Sequence, residues 1–281
     1  MLTDIFAERY SAVPIWQAFG ETERRLLVQT FRIVSEQLFP YWTREGKEIE
    51  GAKATWKSMH DRLSMELGLK QLAPAGYWAQ TTMAGSNHQY WASLSLVHVC
   101  ENFVCASYDS NTPADRFIKE RLSFVEIAFR DRENAVVTAN AELPASIARA
   151  EAAPNRHSPL RVPGNRADGL RAANAAFNQA FRANVDELNE RLRRAGTKLN
   201  YHNGFIQIAE DEAIEREIET PFWALVNETR WANVDADMKE AIDRRDSGGR
   251  DPAFYAAKAL ESTIKIISDA KGWTVIPPPI S

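Results

Sequence analysis

Residues 233–273, NVDADMKEAIDRRDSGGRDPAFYAAKALESTIKIISDAKGW, decide the fold class, because two helices are written there around a Ser247-Gly248-Gly249 turn. The first takes Asn233 as its N-cap and sets Val234, Met238, Ala241 and Ile242 on one face. The second opens with Asp251-Pro252, a capping carboxylate followed by proline at the first helical position, where a missing N–H costs nothing. It closes with Lys271 in the last turn, favourable for the helix dipole, and with Gly272, which turns left-handed without strain. Phe254, Ala257, Leu260, Ile264 and Ile267 form its apolar stripe, flanked by Tyr255, Ala259, Ile266 and Ala270. A helix so broadly apolar needs more than one neighbour. After Trp273 the sequence runs TVIPPPIS and stops. The expectation is therefore half a helical bundle, with Phe254, Leu260, Ile264 and Ile267 left as a surface for a homodimer or another partner.

Immediately upstream, Leu199-Asn200-Tyr201-His202 and Phe205-Ile206-Gln207-Ile208 alternate about Asn203-Gly204. Asn-Gly is the strongest short hairpin signal, since both central residues of the turn need positive φ. Pairing Tyr201 with Ile206 and Leu199 with Ile208 puts all four on one face, which a helix must cover. Residues 210–228 read as a helix kinked or restarted at Pro221, whose Phe222, Trp223, Leu225 and Val226 dock the hairpin onto the C-terminal helices. Before the hairpin, Leu170, Ala173, Phe177, Phe181, Leu188 and Leu192 mark one helix of about 30 residues, about 45 Å long.

The acidic helix, the Gly-Gly turn and DPAFYAAKALESTIKIISDAKGW, with VDELNERLRRAGTKLNYHNGFIQI before them, resemble bacterial abortive-infection proteins of the AbiJ-like group. These are phage-defence factors whose C-terminal domain is HEPN-like. The resemblance covers roughly residues 185–273 and is weaker upstream. It implies a toxin-like antiviral effector, RNA as target, and a homodimer, with the HEPN-like bundle truncated here. HEPN ribonucleases carry an Arg followed by a His after about four to six residues. No histidine here has an arginine at that distance; Arg149 to His157 and Arg194 to His202 have seven residues between. The family's catalysis therefore maps to no residue of this chain, and the expected catalytic set is empty.

The 281 residues, 44% hydrophobic and 26% charged, suffice for a sizeable core and about two domains. A formal net charge of −4 gives no global pull toward nucleic acid or anionic membrane. Cys100 and Cys105 lie in an apolar helical pattern that suits neither a zinc knuckle nor a disulfide framework, so buried, reduced thiols are expected. MLTDIFAERY has an acid at position 4 and is no secretory signal. The uncharged run Gln71–Cys100 is broken by Pro74, Gly76 and Gly85 and is no membrane span. Together these point to a cytoplasmic protein. No P-loop, Rossmann fingerprint, G-x-S-x-G, HExxH or Cys–His spacing occurs, so no cofactor and no metal are expected.

From the N-terminus, a short helix with Phe6, Trp16 and Phe19 as anchors precedes a helix from Glu21 to Pro40 bearing Leu27, Phe31, Val34 and Leu38. Ile49, Ala52, Trp56, Met59, Leu63 and Leu67 give a bundle helix closed by Gly68. His60-Asp61 on it reads as a border His and a solvated acid, since neighbouring helical side chains diverge by about a hundred degrees. Residues 69–88 read as a loop, Tyr90–Ala106 as a central apolar helix, and Ile118, Leu122, Val125 and Phe129 as an amphipathic one. Its polar side, including Lys119, Glu126 and Arg130, reads as a solvated face. The Pro-bounded stretch from Pro144 to Gly164 supplies the linker.

The expected architecture is thus mainly α: a helical N-terminal domain (1–153), a linker (154–165), then a long helix, a small β-hairpin and the first two helices of a HEPN-like bundle (166–281). Residues 154–198 hold nine Lys/Arg against four acids. That makes Arg156, Arg161, Arg166, Arg171, Arg193 and Arg194 the candidate contacts for RNA or an acidic partner. A non-enzymatic binding or scaffold module is the competing reading.

Overall fold

The computed structural model describes residues 5–83, 86–152, 166–208, 220–226, 228–246 and 250–273. It is mainly helical. In chain order come α1 (Phe6–Arg9), α2 (Glu21–Arg32, continued as a π-helical turn over Ile33–Leu38), α3 (Ala52–Glu66), β1 (Gly76–Met83), β2 (Ser86–Ser93) and α4 (Leu96–Val104). Then follow α5 (Ala114–Ala152), α6 (Arg166–Arg194), β3 (Leu199–His202), β4 (Phe205–Ile208), α7 (Thr220–Val226), α8 (Ala232–Asp246) and α9 (Pro252–Lys271). Each strand pair is a separate two-stranded antiparallel sheet.

The axis of the molecule is α5. From Leu122 to Arg130 it is buried on every side, although Ser123, Glu126 and Arg130 among these residues are polar. Around it pack α1, α2, α3, α4 and α6. Phe31, Trp56 and Phe124 form an aromatic triad at centroid separations of 5.9–6.1 Å. The Trp56 indole N–H donates to the Phe39 carbonyl at 3.0 Å, which ties the end of the π-helical turn to α3. The helix then runs on through Pro144, past the point where the linker was expected to begin. Pro144 is exposed there, so the ladder bond it removes is lost to water and not in the core.

One buried cluster runs from Ile5 to Ile206 and takes in α1–α6 together with the β3–β4 hairpin. A second, smaller one joins Trp223 and Val226 of α7 to Val234, Ile242 and Ala259 of α8 and α9. Among the described residues, α6 and this hairpin share the first cluster. The expected linker, residues 154–165, lies outside the described residues.

Three local expectations need correction. Residues 76–93 form a hairpin, so the expected loop 69–88 ends in a strand and the helix expected from Tyr90 begins only at Leu96. Tyr, Trp and Thr suit a pleated surface, but Tyr77-Trp78 and Tyr90-Trp91 stand side by side in a run with no charge to mark a face. Asn233 lies inside the first turn of α8, which begins from a 3-10 turn at Thr229–Trp231. Asp251 stands at the expected cap position but takes φ 57° and makes no capping hydrogen bond. The register expected for the second hairpin, Tyr201 with Ile206 and Leu199 with Ile208, is the one observed.

Candidate functional site

Along one face of α5 runs a buried polar stripe, Asp115, Lys119, Ser123, Glu126 and Arg130, spaced at three and four residues. This side was expected to be solvated, yet Lys119, Ser123, Glu126 and Arg130 are buried. The N-terminal segment lies over it and supplies the partners. Asp115 accepts from the amides of Ile15 (2.8 Å) and Trp16 (3.0 Å), and Lys119 donates to Asp115 and to the carbonyls of Tyr10 and Val13. Ser123 Oγ accepts from Ala7 N at 3.0 Å. The helix can carry Asp115, Lys119 and Ser123 here because each closes a main-chain hydrogen bond of the covering segment.

Glu126 is the focus of the stripe. Its Oε1 accepts from Arg9 Nη1 (3.1 Å) and Arg130 Nη2 (2.6 Å), and its Oε2 from Arg9 Nη2 (2.6 Å) and the Ile206 amide (2.8 Å). Arg9 also donates to the Ile206 carbonyl at 3.1 Å, and Arg130 to the Gly204 carbonyl at 2.8 Å. Phe205 lies between the two guanidiniums, 4.8 Å from that of Arg9 and 4.3 Å from that of Arg130. Asp243 of α8 approaches Arg9 at 3.6 Å and accepts from Gln207 at 3.1 Å. Burial alone would lower the Arg9 basicity, but Glu126 and Asp243 outweigh it and hold the guanidinium charged. With four donors on two oxygens the Glu126 carboxylate has no capacity left for a substrate. It ties the first residues of the chain, the central helix, the second hairpin and α8 into one arrangement.

Beside it opens a groove of about 590 Å³, walled by Glu133, Asn140, Asn178, Arg182, Tyr201 and His202. The Tyr201 hydroxyl donates to Glu133 Oε2 at 2.9 Å. Burial pushes the Glu133 carboxyl above its ordinary range, against the pull of Tyr201 and Lys239, and burial beside Glu133 raises the Tyr201 phenol further. Asn140 joins Asn174 and Asn178 in a ladder of amide hydrogen bonds at 2.7–3.0 Å between α5 and α6. The groove can hold a polar ligand by hydrogen bonds, with the Glu133–Tyr201 pair, Arg182, Asp186 and Glu228 among its walls.

Of the arginines singled out in the sequence, Arg156 and Arg161 lie outside the described residues, and Arg166 is exposed at the start of α6. Arg171 pairs with Asp168 at 2.9 Å, and Arg193 and Arg194 both pair with Glu190 at 2.5–2.9 Å. These are pairs within a turn of one helix, so the segment is less cationic at its surface than its count suggests. Phe254, Leu260, Ile264 and Ile267 are all exposed on α9, whose other flank, with Ala259 and Ile266, faces α8.

His60 and Asp61, expected to diverge, are hydrogen-bonded through Nδ1 at 2.9 Å. The Leu72 amide donates to His60 Nε2 at 3.2 Å, which places the proton on Nδ1. The ring thereby pins the chain beyond α3. Cys100 is buried and Cys105 partly so; burial and Glu101 push the Cys105 thiol up to about 11, far from a thiolate nucleophile. Among the described residues no three His, Cys, Asp or Glu side chains gather as a metal site, and no helix is long and apolar enough to cross a membrane.

The Arg9–Glu126–Arg130 lattice escaped the sequence reading. Its signal was a Glu inside Phe124-Val125-Glu126-Ile127-Ala128-Phe129, an acid with apolar neighbours on both sides. A family model described as AbiJ N-terminal domain 4 matches residues 4–224. That span holds the whole first core and stops ahead of α8 and α9. No curated protein and no solved structure matches the chain.

Proposed function

This chain belongs to the AbiJ N-terminal domain 4 family, and on that premise we propose that it serves abortive-infection defence against phage, with the unit 5–208 receiving the signal and α8–α9 passing it on. The family match over residues 4–224 carries this reading. In it, the α8–α9 pair is the HEPN-like part that the resemblance of residues 233–273 implies. Its exposed Phe254, Leu260, Ile264 and Ile267 meet a second copy or an effector. The pair reaches the first unit through polar contacts, Asp243 with Arg9 and Gln207 and Asp235 with Asn203 at 3.2 Å, which fits a joint made to be altered. No Arg–His pair stands at nuclease spacing, so RNA cleavage is assigned to a partner and not to this chain.

The test is plating. Bacteria expressing the chain are infected with a phage panel, and plaque number and survival of infected cells are compared with a vector control. Fewer plaques together with arrest of infected cells supports the reading; unchanged plating across the panel overturns it. Incubation of the purified chain with total RNA decides the finer point, since cleavage by the chain alone would overturn the assignment to a partner.

A further inference from the structure

The groove between α5, α6 and the second hairpin carries charged groups that the fold leaves unused. Elsewhere on α6, Arg171, Arg191, Arg193 and Arg194 each pair with an acid three or four residues away. Arg182 and Asp186 stand four apart on the same helix and line the groove, yet neither makes an ion pair or a hydrogen bond among the described residues. Glu133 is engaged on one oxygen: its Oε2 accepts from Tyr201 at 2.9 Å, and its Oε1 accepts from no described residue. Burial raises that carboxyl, since no cation touches it. Between these groups the floor is apolar, with Val136 and Phe181 buried.

The amide ladder fixes the order of these groups along the groove. Asn140 of α5 meets Asn174 and Asn178 of α6, while Phe129, earlier on α5, packs 6.4 Å from Phe181. The helices are therefore antiparallel, and about two turns back from Asn140 to Glu133 match about two turns forward from Asn178 to Asp186. Glu133 and Asp186 share one end. Arg182, a turn away, shares the other with Asn140, whose Nδ2 donates once to Asn178 and keeps a second N–H. Along the helix axis Arg182 and Asp186 are about 6 Å apart. An extended dipeptide sets its ammonium and carboxylate about 7 Å apart, and a single amino acid holds them closer. A polyanion is disfavoured, because Glu133, Asp186 and Glu228 line the groove against Arg182.

We propose that this groove binds a dipeptide-sized zwitterion with an apolar body, its ammonium on Glu133 Oε1 and Asp186 and its carboxylate on Arg182 and the second Asn140 N–H. The apolar side chains lie on the Val136–Phe181 floor, and the volume of about 590 Å³ suits a ligand of this class. Charge-assisted bonds at both ends give the site its orientation. The groove also touches Glu228 and Thr229, and the 3-10 turn that starts at Thr229 leads into α8. A ligand seated there bears on the segment that joins α8–α9 to the first unit, and in this the proposal rests on the reading of residues 5–208 as the receiver of the signal. Binding is read on the purified chain and defence by plating, so the failure of one is distinguishable from the failure of the other.

Titration calorimetry of the full chain with leucyl-leucine at neutral pH tests it. Saturable one-site binding is expected, with a Kd of about 10 μM to 1 mM, the range open to a ligand of this size. N-acetyl-leucyl-leucine, which lacks the ammonium, and leucyl-leucinamide, which lacks the carboxylate, are each expected to bind about 10-fold or more weakly. Asp186→Asn and Arg182→Gln are expected to weaken leucyl-leucine by a similar factor at unchanged helical signal and melting temperature, since neither side chain has a partner to lose. Arg193→Gln, at a paired arginine of the same helix, is expected to keep the wild-type affinity. No binding of leucyl-leucine, or blocked forms that bind as tightly as the zwitterion, overturns the proposal. So does binding of adenosine monophosphate in its place, the result a nucleotide site would give.

Discussion

The two hairpins differ in how each solves the same problem. A pair of strands has two outer edges of amides and carbonyls, and both need partners. In β3–β4 the edges are met by side chains: Asn189 of α6 accepts from the Tyr201 amide at 2.7 Å and donates to its carbonyl at 3.3 Å, while Glu126 and Arg9 take the amide and carbonyl of Ile206. Tyr201 and Ile206 face each other across the ladder, so the same residue pair is closed on both outer sides. The β1–β2 hairpin has longer strands, and its Tyr77, Trp78, Tyr90 and Trp91 are exposed. Turn chemistry makes a hairpin; what lies at its edges decides whether it is core or surface.

The contrast can be broken most severely at Glu126. Glu126→Ala leaves Arg9 and Arg130 buried without their counter-ion, and a loss of about 3–5 kcal/mol is expected in urea denaturation, enough to unfold a marginal domain. A loss below about 1 kcal/mol would mean that water enters the site and the lattice is not desolvated. Next comes Gly204, at φ 91°, where a Cβ would stand 3.3 Å from Arg130 Cγ. Gly204→Ala is expected to cost about 1–3 kcal/mol by strain at a left-handed position. The check is a lowered denaturation midpoint at unchanged slope.

A smaller effect concerns Glu133. Because its carboxyl is raised by burial, it is protonated more readily in the folded than in the unfolded chain. Its contribution is fully present below the unfolded value and is lost as pH rises through the folded value. Glu133→Gln keeps an acceptor for Tyr201 and removes the titration. From about pH 4 upward the melting temperature of the wild type should fall relative to that of the variant, so parallel profiles would count against the raised carboxyl. The smallest effect belongs to the first hairpin. Tyr77→Thr and Trp78→Thr are expected to change stability in urea denaturation by no more than about 0.5 kcal/mol.

Legibility in the sequence followed the same divide. Asn203-Gly204 is a local signal with a local cause, and it gave strands, register and apolar face together. The helix termini at Gly68 and Gly272, both at φ 66°, were equally local. In β1–β2 the turn lies in an uncharged stretch without an Asn-Gly or Asp-Gly pair, and apolar runs of that length do not separate strand from buried helix by periodicity. The buried stripe of α5 failed for a different reason. Lys119, Glu126 and Arg130 stand at solvent-face spacing, and what covers them is distant in the chain: for Lys119 and Glu126 a segment more than a hundred residues earlier, for Arg130 the hairpin 74 residues later. A pattern within one helix cannot show what will cover it. As for the site, three of the arginines the sequence pointed to, Arg171, Arg193 and Arg194, pair within α6, and the groove's Glu133 and Tyr201 converge only through tertiary packing.

The position of Arg9 also sets a timetable for synthesis, since its carbonyl partner, Ile206, follows it 197 residues later. At about 5–20 residues per second, roughly 10–40 s pass before that bond can close. Until then α5 can recruit the N-terminal segment through Glu126, Ser123 and Asp115, but the Arg9–Glu126 pair lacks the hairpin lid that shields it. The nascent chain thus acquires its central ion lattice in two instalments, and the second arrives only once the Gly204–Ile206 stretch has been made.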